Sequence, residues 1–198
     1  MTLAAACTYM GVHADSNEID AGVLEACHAG DPRALRAFVV RYQGMVFAFL
    51  SRTLGPGPHV EDLAQEVFLR ACRALPRFDG EGSARLSTWL LTIASHLACD
   101  ARRRRRVPTE PLDANLALLT PSTPETERRR AEIGRAVVRA AGELSDDQRD
   151  VFVLAEFHGL DTKEIGEVLS VREGTVKTRL FRARERMRAL LRGVWEDL

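Results

Sequence analysis

The sequence has no excess of charge of either sign, because 28 lysine and arginine residues stand against 28 aspartate and glutamate residues. The composition therefore gives no argument for nucleic-acid binding through bulk positive charge, and any such argument must come from where the charges lie. No apolar run approaches the roughly 20 residues of a membrane span, and the first residues, MTLAAACTYMGVHADS, lack a basic segment followed by a long apolar one. These absences predict a cytoplasmic protein without membrane insertion.

The sequence also lacks a framework for metal binding or for disulfide bonds. The four cysteines never form a C-x-x-C pair, which argues against a zinc knuckle or a short disulfide framework and suits a reducing compartment. The five histidines have no spacing that suggests joint ligation of a metal, and no nucleophile with its base and no phosphate-binding loop is found. We therefore expect no metal, no cofactor, no small-molecule substrate and no catalytic residue, so the chain is not predicted to be an enzyme.

Helical periodicity dominates the N-terminal half. Residues 1–19 show no periodic apolar face and are predicted to be a mobile tail, but beyond them apolar residues recur at three-and-four spacing. Three such apolar stripes begin near Asp31-Pro32, Val60 and Trp89 and end near Gly55, Pro76 and Leu97, and each predicts a helix. Ser87 or Thr88 is the expected N-cap of the third helix.

A proline-rich segment separates the two halves. Four of the eight prolines lie within residues 107–124, so continuous helix is not expected there. Helical spacing resumes beyond this segment, where Ser145 and Gln148 have the pattern of a capping box. Two further helices are expected at residues 162–169 and 173–191. No strand-like alternation competes with these helices, so we predict an all-α chain of two small helical domains joined by a flexible linker.

The last two predicted helices fit a helix-turn-helix. Five apolar side chains can form the small core between two crossing helices, while Gly166 lets the helices approach closely. Between Arg172 and Arg192, eight cationic residues stand against two acidic ones, in a chain that is neutral overall. This is the electrostatic footprint expected for contact with DNA phosphates. The five apolar residues are Ile165, Leu169, Val171, Val176 and Leu180.

The second of these helices carries side chains that are suited to reading base edges. Lys177, Thr178 and Arg182 lie in its N-terminal half, the part that enters a major groove. Arginine can form two hydrogen bonds with guanine, and threonine can contact a base or a thymine methyl group. The alternative is an ordinary basic, solvated helix, which the combination of charge and packing disfavours.

The stripe that begins at Val60 has an outer face in which a leucine lies among acidic and amide groups. Such a face suggests a protein-binding surface. Surface acids beside one exposed leucine are also common on solvated helices, so the pattern alone leaves both interpretations open. The residues of this outer face are Asp62, Gln65, Glu66 and Leu69.

Five consecutive arginines, at residues 102–106, follow Phe78 and Trp89 in the sequence. Basic side chains beside aromatic rings and a flexible loop, here the glycine-containing residues 80–82, are what capture of a single DNA strand requires, because bases stack on rings while arginines hold phosphates. The alternative places both rings in the core and makes the arginines a solvated helix end that the helix dipole favours. For Trp89 alone, core packing is the preferred interpretation.

Three strings together resemble the bacterial sigma factors of the extracytoplasmic-function (ECF) group, which is group 4 of the sigma-70 family. They are VEDLAQEVFLRA at residues 60–71, TWLLTIA at residues 88–94 and GTVKTRLFRARE at residues 174–185. The resemblance covers about residues 20–192. It implies a tail at residues 1–19, a sigma region 2 domain at 20–106, a linker at 107–129 and a sigma region 4 helix-turn-helix domain at 130–194.

By this resemblance, the chain is a sigma factor that binds core RNA polymerase and directs promoter recognition when transcription starts. The outer face around Asp62 would dock on the clamp helices of the largest polymerase subunit. The region 2 domain would capture the unpaired strand of the minus-10 element of promoter DNA, and the helix-turn-helix would read the minus-35 element. The expected minus-10 contacts are Phe78, Trp89, His96, Arg102, Arg103, Arg104 and Arg105, and the expected minus-35 contacts are Arg172, Thr175, Lys177, Thr178, Arg179 and Arg182.

Three matters stay open at this point. His96 stands where family members usually carry asparagine, so the resemblance does not imply which minus-10 bases are preferred. A separate anti-sigma factor that covers the Asp62 face is expected, because the sequence contains no visible sensor domain, and direct redox control through the cysteines is the rival. The competing overall function is a homodimeric helix-turn-helix regulator with residues 20–106 as its dimerisation or ligand domain, which explains neither the arginine run nor the acidic face.

Overall fold

The computed structural model describes residues 18–79, 85–105 and 134–196. Within these ranges every regular element is a helix, which confirms the predicted all-α class. The chain forms two compact units, whose main parts are residues 15–113 and, in the C-terminal half, residues 114–166 and 171–198. The linker predicted at residues 107–129 lies outside the described residues.

Two capped helices open the N-terminal unit. The side chain of Asp20 accepts a hydrogen bond from a backbone amide of helix α1 (Ala21–His28). Asp31 accepts hydrogen bonds from two amides in the first turn of helix α2 (Pro32–Leu54), which begins with proline as predicted. Helix α2 ends at Gly55, whose φ of 80° is in the left-handed region that favours glycine. Local cap and stop signals therefore account for both ends of α2.

The prediction of a mobile tail is wrong for Glu18 and Ile19. The amide of Ile19 donates to the hydroxyl of Tyr42 at 3.3 Å, and the carboxylate of Glu18 accepts hydrogen bonds from Tyr42 and Ser87. These partners lie 23 to 69 positions away in the sequence, so a search for local periodicity does not detect them. Helix α1 was missed for a related reason, since Cys27 is its only fully buried residue and it has no apolar stripe.

Two further helices complete the N-terminal unit. Helix α3 (Pro58–Ala74) continues into a 3-10 turn (Leu75–Arg77), close to the predicted end at Pro76, and helix α4 spans Leu86–Arg105. The apolar faces of α2, α3 and α4 pack against one another, which leaves the outer sides of α3 and α4 for function. The fully buried apolar side chains of this core are Phe38, Val46, Phe49, Leu50, Val60, Val67, Ala71, Leu75, Leu90, Leu91 and Ala94.

Helix α4 begins earlier than predicted. The amide of Trp89 donates to the carbonyl oxygen of Arg85 at 3.0 Å, so Ser87 and Thr88 both lie inside the first turn. Thr88 is buried. The prediction that one of these two residues caps the helix is therefore wrong.

The C-terminal unit is a second set of helices. Ser145 and Gln148 form the predicted capping box of the second of them, in which each side chain accepts a hydrogen bond from the backbone amide of the other residue at 3.4 Å. The last helix continues past the predicted end at residue 191. The helices are α5 at residues 134–142, α6 (Asp146–Glu156), α7 (Thr162–Leu169) and α8 (Glu173–Glu196).

Arg149 of α6 holds the end of α5. Its guanidinium donates hydrogen bonds to the carbonyl oxygens of Ala141, Gly142 and Leu144 at 2.8 to 2.9 Å. The last carbonyl groups of a helix have no partner within the helix, and a cation is favourable at this negative end of the helix dipole. Arg149 therefore links the two helices that precede the helix-turn-helix.

The turn between α7 and α8 requires glycine at position 166. A Cβ atom on Gly166 would lie 2.8 Å from the carbonyl oxygen of Val171, and the amide of Val171 donates to the carbonyl oxygen of Gly166 at 2.9 Å. Ser170 ends α7 with a left-handed φ of 55°. Of the predicted core residues, Ile165, Val176 and Leu180 are buried, and Leu169 and Val171 are partly exposed.

Candidate functional site

The outer side of α3 carries the four residues that were expected to bind a protein. Gln65, Glu66 and Leu69 follow Asp62 by three, four and seven positions, so all four residues share one side of the helix. Asp62 and Gln65 are exposed, and Leu69 has 53% of its surface exposed. Glu66 accepts a hydrogen bond from Arg70 at 2.7 Å, but 49% of the Arg70 side chain and 40% of the Glu66 side chain are exposed to solvent, so the pair is weak. The carboxylate of Glu66 therefore remains available to a partner.

Phe78 and Trp89 form a ring pair at the start of α4. Their ring centroids lie 4.9 Å apart with the planes inclined by 46°. Both residues are only partly buried. Their exposure is therefore intermediate between that of core residues and that of free rings on which bases could stack. Pairing with Phe78 orients the indole ring while part of each side chain stays accessible.

Three expected DNA contacts are aligned along α4. Trp89, His96 and Arg103 follow one another at intervals of seven residues, which is close to two helical turns, and they therefore mark one side of the helix over about 21 Å. His96 and Arg103 are exposed. Arg104 is also exposed and Arg102 is partly exposed, on either side of this line; the side chain of Arg105 lies outside the described part of the chain. The ring pair and the basic helix end therefore belong to one continuous surface.

The beginning of α8 presents most of the expected minus-35 contacts to solvent. The exposed residues among them are Arg172, Thr175, Lys177, Thr178 and Arg182.

Arg179 does not belong to this exposed set. Its guanidinium contacts the carboxylate of Asp147 on α6 at 2.5 Å, and only 28% of its side chain is exposed. The geometry assigns Arg179 to the packing of α8 against α6, on a different side of the helix from Thr178 and Arg182.

Glu173 organises the first turn of α8. Its carboxylate accepts hydrogen bonds from Lys177 and from the hydroxyl of Thr162 on α7, each at 2.8 Å. These bonds, first that from Lys177 and then that from Thr162, hold the pKa of Glu173 below its ordinary value. Glu173 therefore stays ionised and restrains Lys177 beside the expected minus-35 contacts.

Phe181 was missed in the sequence analysis. It is exposed over 66% of its surface, and it lies three residues after Thr178 and directly before Arg182. The signal was present in the spacing, since the buried residues of α8 among the described side chains are Val176, Leu180, Ala183, Met187 and Leu191 and position 181 is not on their side. An exposed aromatic ring on this surface is suited to contact with a thymine methyl group.

Comparison with known proteins identifies the family. The family model for Sigma-70 region 2 matches residues 38–107, and the model for Sigma-70, region 4 matches residues 134–187. The RNA polymerase sigma-H factor of Pseudomonas aeruginosa is 33% identical over an alignment of 180 residues, which covers 86% of this chain and 92% of that protein. The ECF RNA polymerase sigma-E factor of Escherichia coli K12 is 35% identical over an alignment of 176 residues, which covers 84% of this chain and 91% of that protein.

The chain is an ECF sigma factor of the sigma-70 family. It is thus a transcription initiation factor that directs promoter recognition, and not an enzyme. The resemblance stated from the three sequence strings is confirmed, and the homodimeric regulator is set aside because both domains and the similar full-length proteins are those of sigma factors.

Solved structures share the fold of this sigma factor. CnrH, solved in complex with the cytosolic domain of CnrY, is 28% identical with a TM-score of 0.63, and the match covers 86% of this chain and 96% of CnrH. The sigma factor RpoE from Bartonella quintana, solved with the anti-sigma factor NepR, is 22% identical with the same TM-score of 0.63 over 79% of this chain and 96% of RpoE, and it supports the fold.

Among the residues that the structure describes, no helix is long and apolar enough to cross a membrane, and no three histidine, cysteine or acidic residues cluster as a metal site would need.

Proposed function

We propose that this sigma factor divides promoter recognition between a region 2 domain at residues 20–106 and a region 4 domain at residues 130–194, joined by a linker at residues 107–129, and that it acts in the cytoplasm. The observation that carries the proposal is the exposed surface of α8, where Thr178, Phe181 and Arg182 lie side by side. An exposed threonine, aromatic ring and arginine on the leading half of a helix-turn-helix helix are the groups that read bases in a major groove.

Core RNA polymerase binds the outer face of α3 in this proposal. The face consists of Asp62, Gln65, Glu66 and Leu69, and its partner is the clamp helices of the largest polymerase subunit. The exposed leucine supplies apolar contact area, and the surrounding polar side chains supply a rim that fixes the orientation of the partner. The opposite side of α3 is buried at Val67 and Ala71, so the helix can present this face without moving.

The minus-10 element is bound by the surface that runs along α4. Unstacked bases of the displaced strand contact Phe78 and Trp89, and the backbone follows the helix past His96 towards the arginines. Stacking on an aromatic ring contributes about 1 to 3 kcal/mol per base, so two accessible rings are sufficient to favour the unpaired strand. The phosphate contacts in this assignment are Arg102, Arg103, Arg104 and Arg105.

The minus-35 element is read by α8. Arg182 forms two hydrogen bonds with a guanine, and Phe181 contacts a thymine methyl group. The hydroxyl of Thr178 donates to the carbonyl oxygen of Gly174 at 3.0 Å, so its proton is already used; Thr178 offers its methyl group or accepts a hydrogen bond from a base amino group. Arg172, Thr175 and Lys177 contact the adjacent backbone, and Arg179 keeps α8 in place through Asp147.

Run-off transcription with purified core polymerase tests the minus-35 assignment, on promoters mapped from transcript starts in cells that overproduce the sigma factor. Arg182→Ala should cost about 1 to 3 kcal/mol at the correct site and relax specificity at one base pair. Arg188→Ala is the matched control, because Arg188 is an exposed cation on another side of α8 that pairs with Glu185. Equal losses on all DNA sequences would reduce Arg182 to a phosphate contact.

Control by a separate anti-sigma factor is part of the proposal. The α3 face and the α8 surface are both exposed, so an unmasked protein would be constantly active. Direct redox control through the cysteines is disfavoured, because burial raises the pKa of the thiols of Cys27 and Cys72 and a protonated thiol reacts poorly.

A pull-down under non-inducing conditions should return an inhibitor whose binding is lost with Asp62→Arg. Recovery of core polymerase alone, with transcription that follows only the amount of sigma factor, would contradict this.

A further inference from the structure

Glu18 connects the residues before α1 to two helices of the N-terminal unit. One carboxylate oxygen accepts a hydrogen bond from the hydroxyl of Tyr42 on α2 at 2.7 Å. The other oxygen accepts from the hydroxyl of Ser87 at 2.6 Å and from the backbone amide of Ser87 at 3.4 Å. Ser87 is the second residue of α4. The same carboxylate therefore fixes α4 at its first turn and ties it to α2.

The position of the carboxylate is that of a helix cap supplied from elsewhere in the chain. A capping side chain usually belongs to the residue before the helix and accepts from the amide of the second or third helical residue. In α4 the preceding residue is Arg85, whose side chain has no hydrogen-bond acceptor. Glu18 accepts from the amide of the second residue instead, and its negative charge suits the positive end of the helix dipole.

Tyr42 keeps the carboxylate in place. The tyrosine is buried, with 4% of its surface exposed, and its hydroxyl also accepts a hydrogen bond from the amide of Ile19. Burial, followed by the hydrogen bond to Glu18, raises the pKa of Tyr42 well above its ordinary value. The hydroxyl therefore remains a proton donor at any physiological pH, and Glu18 is held between a rigid donor and the start of α4.

We propose that Glu18 is a positioning residue for capture of the unpaired DNA strand. By capping α4 it fixes the first turn, in which Trp89 lies two residues after Ser87 and packs against Phe78 at 4.9 Å. The inference rests on the proposed role of this ring pair at the minus-10 element. It gives the residues before α1 a function in promoter opening that is separate from polymerase docking and from reading of the minus-35 element.

The experiment compares holoenzymes that contain wild-type sigma factor, Glu18→Ala, Glu18→Gln or Asp20→Ala. Asp20→Ala is the matched control, because Asp20 caps α1 through Gly22 and is an acid only two residues away. Three readouts are taken for each: binding to core polymerase, binding to duplex DNA with only the minus-35 element, and binding to a single-stranded oligonucleotide of the minus-10 non-template sequence. Glu18→Ala should weaken only the third, on the order of threefold to tenfold, the range for loss of one helix cap.

A conservative variant and a double mutant separate positioning from general stability. Glu18→Gln keeps an acceptor for Ser87 and should recover part of the single-strand binding. Ser87→Ala should have little further effect in the Glu18→Ala background, because both changes remove the same contact. Equal losses in all three readouts would mean that Glu18 acts only on folding, and the proposal would be overturned.

Trp89→Ala separates failure of this inference from failure of the proposed function. If Trp89→Ala weakens single-strand binding and Glu18→Ala does not, Glu18 has no positioning role although the ring pair does bind the strand. If Trp89→Ala has no effect either, the minus-10 assignment itself is wrong and the inference falls with it.

Discussion

The two helices that we propose to contact DNA, α4 and α8, differ in the polar contacts that hold them. Helix α4 is fixed by apolar burial along its inner side, at Leu90, Leu91 and Ala94, and by the carboxylate of Glu18 at its first turn. Helix α8 is likewise packed through the buried side chains of Val176, Leu180 and Ala183. It is also tied to α6 by ion pairs from Arg179 and Arg184, the second of which reaches the largely buried carboxylate of Glu156 at 2.7 Å. The ion pairs of α8 lie along the length of the helix, whereas the polar contact of α4 with Glu18 lies at its first turn.

This difference matches the two kinds of recognition that we propose for the two helices. Reading a duplex requires several side chains at fixed spacing along one helix, and ion pairs on the flank of α8 restrain its rotation about its own axis. Capturing a single strand requires accessible rings beside a basic path, and one well-fixed helix start is sufficient for that. The comparison therefore predicts that damage to either helix impairs one step of promoter recognition and spares the other.

The largest effect is expected outside both helices, at the proposed docking face on α3. Asp62→Arg combined with Glu66→Arg should abolish binding to core polymerase, because two repulsive charges replace two attractive ones at the centre of the face. The fold should survive, since Asp62 is exposed and 40% of the Glu66 side chain is exposed. Co-purification with core polymerase measures the effect, with Glu25→Arg on α1 as the control. Undiminished co-purification of the double variant would remove the α3 face from the account.

The next effect concerns the support of the helix-turn-helix. Arg149→Ala removes three hydrogen bonds to carbonyl groups at the end of α5, and the side chain of Arg149 is only 16% exposed. Charged hydrogen bonds of this kind contribute strongly, so the free energy of unfolding of the C-terminal unit should fall by about 2 kcal/mol or more. Urea unfolding followed with a probe in this unit measures it. Arg139→Ala, an exposed arginine on α5, should change stability by less than about 0.5 kcal/mol, and equal losses for the two variants would contradict the role of Arg149.

A smaller effect is expected at the basic end of α4. Arg103→Gln combined with Arg104→Gln should leave core binding intact, slow promoter opening and lower the salt dependence of strand binding by about 0.7 per lost phosphate contact. Permanganate reactivity of unpaired thymines reports the opening. Arg33→Gln with Arg36→Gln, two exposed arginines at the start of α2, is the matched control. Wild-type permanganate footprints and an unchanged salt slope would show that the arginines of α4 are only solvated.

The smallest effect concerns Glu173 and pH. The pKa of Glu173 is lower in the folded protein than its ordinary value of 4.5, so its stabilising contribution is fully present above pH 4.5 and is lost as the pH falls through the lower folded value. The difference in unfolding midpoint between wild type and Glu173→Gln should therefore be small at neutral pH and vanish in acid. Glu167→Gln, at an exposed position of α7, should show no such trend. If the difference in unfolding midpoint between wild type and Glu173→Gln grows on acidification, the prediction is contradicted.

Local signals were sufficient for much of the fold. The Asp31-Pro32 start of α2 and the Ser145–Gln148 capping box are each encoded within four residues, and the close approach at Gly166 involves only the six residues from Gly166 to Val171. Such features follow from backbone hydrogen bonding that is independent of the rest of the chain, so sequence patterns predicted them.

Contacts between distant residues account for what was missed. Glu18 contacts Ser87 across 69 positions, and Arg179 contacts Asp147 across 32. No local pattern therefore reveals that Glu18 belongs to the fold and not to a tail. For the same reason, no local pattern reveals that Arg179 turns away from the expected DNA surface. Phe181 is different, because its exposure follows from the helical period of its own helix. The candidate site was therefore predictable in its position on each helix, and less so in which charged side chains are already engaged.

The division of labour between α4 and α8 is tested most directly by a cross-comparison of two holoenzymes, Trp89→Ala and Arg182→Ala, on two probes. One probe is a duplex with the minus-35 element, and the other is a single-stranded minus-10 oligonucleotide of the non-template strand. The account predicts that Trp89→Ala loses affinity only for the single strand and that Arg182→Ala loses affinity only for the duplex. Loss of both affinities in both variants, or the reverse pattern, would contradict it.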